Sequence, residues 1–278
     1  MNDTTYKSLI NKCITYIALG LGSILMLIPF AWMISASLKV ETEVFQFPIR
    51  WIPEVPQWGN YLLVFQKVPL LTYFKNSLFI TCITLTIQLF TSALAAYAFS
   101  KLYFKERDTI FVTYLSTLMI PQQVIMIPQF IIMRKLGLVN SPWALILLGA
   151  FMPFGVFMLR QFFLTIPNEL SESARIDGCS EFMIFARIIL PLTKPALASL
   201  GIFSFVWSWN DFLHPLIYLS TDSKKTIQIG IRAFLAQYTQ DYALLMAATC
   251  LSLLPVLVAY LSAQKFIIEG IATSGLKG

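Results

Sequence analysis

The chain has 278 residues, 57% of them hydrophobic and only 12% charged, with a mean hydropathy of +0.72. A soluble protein carries about 25% charged residues, so the composition argues against a water-soluble fold and for a polytopic membrane protein. The net charge is +6 and the pI about 9.1, but the bases lie between apolar segments, where they set topology and meet lipid headgroups rather than nucleic acid.

Apolar windows long enough to cross a hydrocarbon core of about 30 Å recur along the chain. They predict an all-α protein with six transmembrane helices. Residues 1–13 form a short polar tail. Span one covers Ile14 to Leu38, a retained anchor without a small-residue cleavage site. Residues 39–71 form a loop too polar and too broken by proline to cross a bilayer, and residues 72–265 hold the rest of the membrane domain. Span two covers Ser77 to Ser100 and span three Thr109 to Met133, where Pro121 and Pro128 each remove a backbone donor and are expected to kink the helix. Span four covers Trp143 to Leu159, span five Ala196 to Leu219 and span six Tyr242 to Lys265, with a second polar loop at 220–241 and a tail at 266–278.

Six spans put both termini on one side. If that side is the cytoplasm, eleven bases lie inside and nine outside, a weak vote for ends-in. The cysteines Cys13, Cys82, Cys179 and Cys250 have no CxxC spacing, so neither a disulfide nor a metal site is expected.

The segment Pro167–Pro195 is different. It holds Glu169, Glu172, Asp177, Glu181, Arg175, Arg187 and Lys194 between two apolar spans. Asn168 is placed to cap a helix whose first turn holds Glu169 and Glu172. Glu172 and Arg175 are spaced to pair, and Gly178 to end the helix. Ser180 can cap a second helix that Pro191 stops, with Phe182, Met183, Phe185, Ile188 and Ile189 as an apolar stripe for the bilayer interface. Thr193 then caps span five. On the residues alone, this segment is either an amphipathic linker or a surface for a soluble partner.

Glu172-Ser173-Ala174, Asp177-Gly178, Ile188, Leu190-Pro191 and Pro195 resemble the EAA loop of ATP-binding-cassette (ABC) importer permeases, with Ser173 and Cys179 in place of alanine. NSLFITCITLTIQLFTSALAAYAFSK, MIPQQVIMIPQFIIMRKLGLVNSPWALIL, FVWSWNDFLHPLIYL and QKFIIEGIATSGLKG extend the resemblance to the carbohydrate-uptake branch, as the second permease of a maltose-type pair. The resemblance implies a type I importer (MetI-like) transmembrane domain. Its loop 161–192 would be cytoplasmic and would couple to an ATPase through Glu172, Ser173, Ala174, Asp177, Gly178, Leu190 and Pro191. It also implies both termini inside, a tail with Gly275 and Lys277 reaching the ATPase, a plasma-membrane location, a second permease, an ATPase dimer and an extracytoplasmic sugar-binding protein. The substrate implied is a sugar or oligosaccharide, the alternative a polyol or glycerol phosphate.

No GxxxxGK[ST] loop is present. ATP and Mg are therefore expected on the partner ATPase, with no cofactor and no catalytic residue in this chain. A secondary carrier would call for intramembrane charge networks or inverted repeats, and a membrane enzyme for a nucleophile–base pair or metal cluster; neither pattern is visible. Within span five, Asn210 and Asp211 are candidates for a translocation pathway, with Asp211 about 22 Å along the span by helical rise. Helix packing, or proximity to the outer interface, is the competing reading. His214, the only histidine, reads as structural. Trp207, Trp209 and Tyr218 read either as belt or packing residues or as sugar-stacking rings.

Overall fold

The computed structural model describes residues 3–236 and 241–275. All regular structure among them is helical. Four helices or helix pairs are long and apolar enough to span: Asn11–Ser37 within α1 (Asp3–Ser37), α3 (Leu70–Lys101), Pro142–Leu164, and Tyr242–Phe266 within the last helix. The other two of the six expected spans are bent. One is α4 (Arg107–Ser116) with α5 (Gln122–Lys135); the other holds α10 (Lys194–Trp209), which is bent by 79° from α9 (Glu181–Leu192) in the preceding polar segment.

The chain divides into two compact units, 1–68 with 231–252 and 69–230 with 253–278. In the first, the long polar loop is structured. It holds a single turn at Glu41–Val44 and the helix α2 (Asn60–Lys67). The buried Asn60 Nδ2 donates to Ser37 O and Lys39 O, both at 2.9 Å, and closes the loop onto the end of α1. Ala36, Val44 and Ala243 form a small core beside it. Glu41 accepts from Ala243 N at 2.9 Å and Asp241 from Leu244 N at 3.1 Å, so two carboxylates satisfy orphan donors where the last helix begins.

The second unit is organised around α3. Its buried residues include Ser77, Thr81, Thr84, Gln88, Ser92, Ala96 and Ser100, three or four positions apart, while Leu78, Phe79 and Phe90 are exposed. Small and hydroxyl-bearing side chains line the helix contacts and large apolar ones face outward, as expected where lipid replaces water as the solvent. Against this face lie α6 (Pro142–Gly149), α7 (Pro153–Leu164) and α10.

Three of the expected spans are interrupted. Pro121 does more than kink span three: the chain turns by 100° between its two halves. Pro128, expected to kink as well, sits inside α5, which continues through it. Span four breaks between α6 and α7, at residues 150–152, and the sequence reading did not foresee this. The break is tolerated because α3 supplies the lost partners: Gln88 Nε2 donates to Gly149 O at 2.5 Å and Thr91 Oγ1 to Ala150 O at 3.0 Å. Span five breaks after Trp209 and resumes as α11 (Leu213–Tyr218). There Gln228 Nε2 donates to Trp209 O at 3.3 Å and Asp211 accepts from His214 N at 3.3 Å. The remaining helices are α8 (Glu169–Ile176), α12 (Ile227–Ala236) and α13 (Tyr242–Gly275).

Candidate functional site: a clamped two-helix element and a polar cavity

The polar segment folds as the two short helices α8 and α9. Several of its expected interactions are replaced by others. Asn168 does not cap α8, because its backbone is already helical. Its side-chain oxygen instead accepts from Lys101 Nζ at 2.8 Å. Lys101 is buried and donates a second bond, to Ile166 O at 2.6 Å. Glu172 does not pair with Arg175. Arg175 grips Glu181 with two bonds, Nε to Oε1 at 2.6 Å and Nη2 to Oε2 at 3.2 Å. Tyr97 donates to Glu181 Oε2 at 2.7 Å. Lys101 and Tyr97 are one turn apart on α3, so the end of that helix holds both short helices at their N-terminal ends.

The turn between α8 and α9 follows the sequence reading. Gly178 sits at φ +82°, its N–H donates to Arg175 O at 3.0 Å and Cys179 N–H donates to Ala174 O at 2.9 Å, a Schellman closure. Ser180 caps α9 by accepting from Met183 N at 3.3 Å. Pro191 does not stop that helix. Residues Phe185–Ile189 widen into a π turn in which Leu190 N donates to Phe185 O, and α9 runs on to Leu192. A widened turn accommodates the missing proline donor without an exposed end. Thr193 does not cap span five either; its hydroxyl donates back to Leu190 O at 2.8 Å. The stripe expected at the bilayer interface is split. Phe185 and Ile189 are buried in a core with Tyr97, Leu159, Phe163 and Ile184, and only Phe182 and Met183 are exposed.

What this leaves on the surface is narrow. Glu172, Ser173, Asp177, Gly178 and Pro191 are exposed, and Ile176 is 87% exposed. Glu172 and Asp177 make no side-chain hydrogen bond or ion pair among the described residues. Ala174 is buried in the same core, and Leu190 packs against it. Ala174 therefore permits close approach of α8 to its own membrane domain. Gly275 ends α13, and Lys277 lies outside the described residues.

The Arg175 guanidinium, with the Tyr97 hydroxyl, holds the Glu181 carboxyl below its usual 4.5. A depressed carboxylate stabilises the fold above its unfolded value and loses that contribution as pH falls through the folded one. The pair is more than a third exposed, so its worth is about 1 kcal/mol or less. The melting-temperature gap between the wild type and Glu181→Gln is expected to be full at pH 7 and to close below pH 4.5. A gap of constant size would show that the charge is not what the clamp uses.

The second feature is a cavity of about 510 Å³ within the second unit. Asp211 lines it; Asn210 does not, and instead accepts from Gln228 Nε2 at 3.3 Å. His214 Nδ1 lies 2.8 Å from Asp211 Oδ2 and its Nε2 3.0 Å from Gln122 Nε2, which also donates to Gln129 Oε1 at 3.2 Å. The rest of the wall includes Thr81, Thr84, Gln88, Trp207 and Ser208. Sequence reasoning missed Gln122 and Gln129, because Gln in an apolar run with two prolines carries no pattern of its own. It missed Lys101 because a base at a span end was read only as a topology signal, and Tyr97 because a tyrosine inside an apolar span carries no partner signal.

Residues 88–270 match the family described as binding-protein-dependent transport system inner membrane component. The arabinooligosaccharides transport system permease protein AraQ of Halalkalibacterium halodurans is 36% identical over 253 residues, covering 90% of this chain and 91% of the relative. The sulfoquinovosyl glycerol transport system permease protein SmoH of Agrobacterium fabrum is 32% identical over 269 residues, 96% and 94% of the two chains. A chain in the crystal structure of a bacterial ABC transporter that imports the acidic polysaccharide alginate superposes with a TM-score of 0.80 at 24% identity, covering 94% of this chain and 98% of that one. That similarity supports the same helical fold. The chain thus belongs to the family of binding-protein-dependent ABC transporter inner-membrane components, as a multi-pass permease subunit whose family is the membrane part of the transporter and not its ATPase.

Proposed function

We propose that the chain is the second permease of a sugar or oligosaccharide importer, with both termini in the cytoplasm and α8–α9 docked on an ATPase dimer. A second permease completes the membrane pathway, and a sugar-binding protein docks on the outer side against the loops at 39–71 and 220–241. Relatives that serve in arabinooligosaccharide, sulfoquinovosyl glycerol and lactose transport systems support a saccharide cargo over a polyol or glycerol phosphate. The observation that carries the coupling role is the clamp. Two helices on one surface are tied to each other by Arg175–Glu181 and to a membrane-spanning helix by Lys101 and Tyr97. A partner that moves α8 must then move α3. Glu172, exposed and without an ion partner among the described residues, supplies a negative group for a basic surface on the ATPase. ATP and Mg are held by that partner.

The test is co-purification of the tagged chain with an ATPase activity assay. The wild type should retain an ATPase and a second permease. Glu172→Lys should lose the ATPase by at least tenfold while keeping the second permease. A wild-type complex without an ATPase would overturn the reading.

A further inference from the structure

The cavity has a chemistry of its own. Two independent observations mark it as built to receive polar groups. The first is the relay Asp211–His214–Gln122–Gln129, in which four polar side chains from two separate stretches of chain converge within 2.8–3.2 Å steps on one wall. The second is that the wall also contains Gln88, Thr84 and Thr226. Ser208 Oγ donates to Thr81 Oγ1 on the same wall at 3.3 Å, so the polar lining extends beyond the relay.

The volume, about 510 Å³, falls in the range of about 300–1,000 Å³ typical of small-ligand sites. The wall offers amides, hydroxyls, an imidazole and the ring of Trp207, which is 76% exposed. It offers one carboxylate and, among the described residues, no Lys or Arg. Amides and hydroxyls match sugar hydroxyls as both donors and acceptors, and an indole face suits the apolar face of a pyranose. A carboxylated or phosphorylated sugar would meet the Asp211 carboxylate with no Lys or Arg on the wall to hold its own charge, and like charges repel strongly at low dielectric.

We propose that this cavity is a contact site for neutral saccharides on this chain. Gln122, Gln129 and His214 read hydroxyl groups, Trp207 supplies a stacking face, and Asp211 orients His214 and disfavours acidic sugars. The proposal rests on the importer reading and adds to it that this permease touches its cargo and selects for neutrality. The alginate importer's permease, which shares the fold, belongs to a transporter of an acidic polysaccharide, so fold alone does not set the charge of the cargo.

The experiment uses the assembled transporter in detergent without its binding protein, so that the selectivity read is that of the permeases. Tryptophan fluorescence is titrated with arabinotriose, maltotriose and trigalacturonate. At least one neutral trisaccharide should give a saturable change at least tenfold stronger in affinity than trigalacturonate. Trp207→Phe should reduce the amplitude, and Gln122→Leu should weaken the affinity at least fivefold. A response to trigalacturonate equal to the neutral probes, no response to either neutral probe, or unchanged affinity in Gln122→Leu would each overturn the proposal. Stimulation of ATP hydrolysis by the binding protein is measured on the same wild-type preparation. Its absence would count against the importer reading itself, whereas its presence without saccharide selectivity would sink only the site.

Discussion

Lys101→Met is expected to cut transport per ATP hydrolysed by at least tenfold while the assembled complex still hydrolyses ATP. The reason is where the lysine ends. Its stem is buried at the end of α3, and its ammonium donates to Ile166 O and Asn168 Oδ1 at the entrance to α8. Methionine fills nearly the same volume but leaves both acceptors without their donor. The loss at the buried Ile166 carbonyl costs about 1–3 kcal/mol, and the exposed Asn168 oxygen turns to water, which together free the N-terminal end of α8 from the membrane helix. Under the proposed coupling role, a stroke delivered to Glu172 and its neighbours would then bend the loop and not move α3. Tyr97 acts one turn earlier on the same helix, through Glu181. Tyr97→Phe alone should have a smaller effect, since Arg175 keeps its grip on Glu181, and the two changes together should not be additive because they release one element. The measurement is sugar uptake and phosphate release on the same proteoliposomes. If uptake per ATP in Lys101→Met stays within twofold of the wild type, α3 does not carry the stroke. Lys101→Arg, which keeps the donors, should recover a substantial part of the loss.

The positions of this clamp show what the sequence could and could not carry. Six spans, the two-helix loop, the Gly178 turn and the Ser180 cap were legible because each rests on local periodicity or on one residue's backbone preference. The interactions that went wrong were local guesses overridden from a distance. Asn168 is an eligible cap, but a lysine 67 positions earlier takes its oxygen. Arg175 has Glu172 one turn away, but Glu181 offers two bonds with better geometry and Tyr97 fixes it in place. The apolar stripe of α9 is real, yet Phe185 and Ile189 meet Tyr97, Leu159 and Phe163 rather than lipid. The breaks in spans four and five were hidden for a related reason. Hydropathy sees continuous apolar windows there, whereas the partners that make the breaks tolerable, Gln88, Thr91 and Gln228, sit on other helices. In the cavity the same limit applied: Asp211 stood out as a charge in a span, but only the fold brings Gln122 and Gln129 to it.

Gly155→Val should be among the most destabilising single changes in the membrane domain, and it tests how that domain is held together. Helix α7 crosses α3 where Gly155 meets Ser92. A Cβ at position 155 would lie 2.7 Å from Ser92 Oγ and 3.2 Å from Leu200 on α10. Lipid is as apolar as the side chains it would replace, so no hydrophobic gain drives these helices together. Close approach of small residues has to supply the attraction through packing. The seven small or polar residues that line the buried face of α3 serve the same end. A branched side chain at 155 therefore pushes α7 from both neighbours at once, an overpacking cost of about 1–3 kcal/mol. Gly22 is the internal control. It lies in α1 with nothing within 4 Å of a Cβ, so Gly22→Val should leave the thermal stability of the purified complex within error. Gly155→Val should lower it by several degrees, and Gly155→Ala should fall between, since the Ser92 hydroxyl can rotate away from a single methyl group. Equal melting temperatures for Gly22→Val and Gly155→Val would mean that close approach at Ser92 is not what holds α7 to α3.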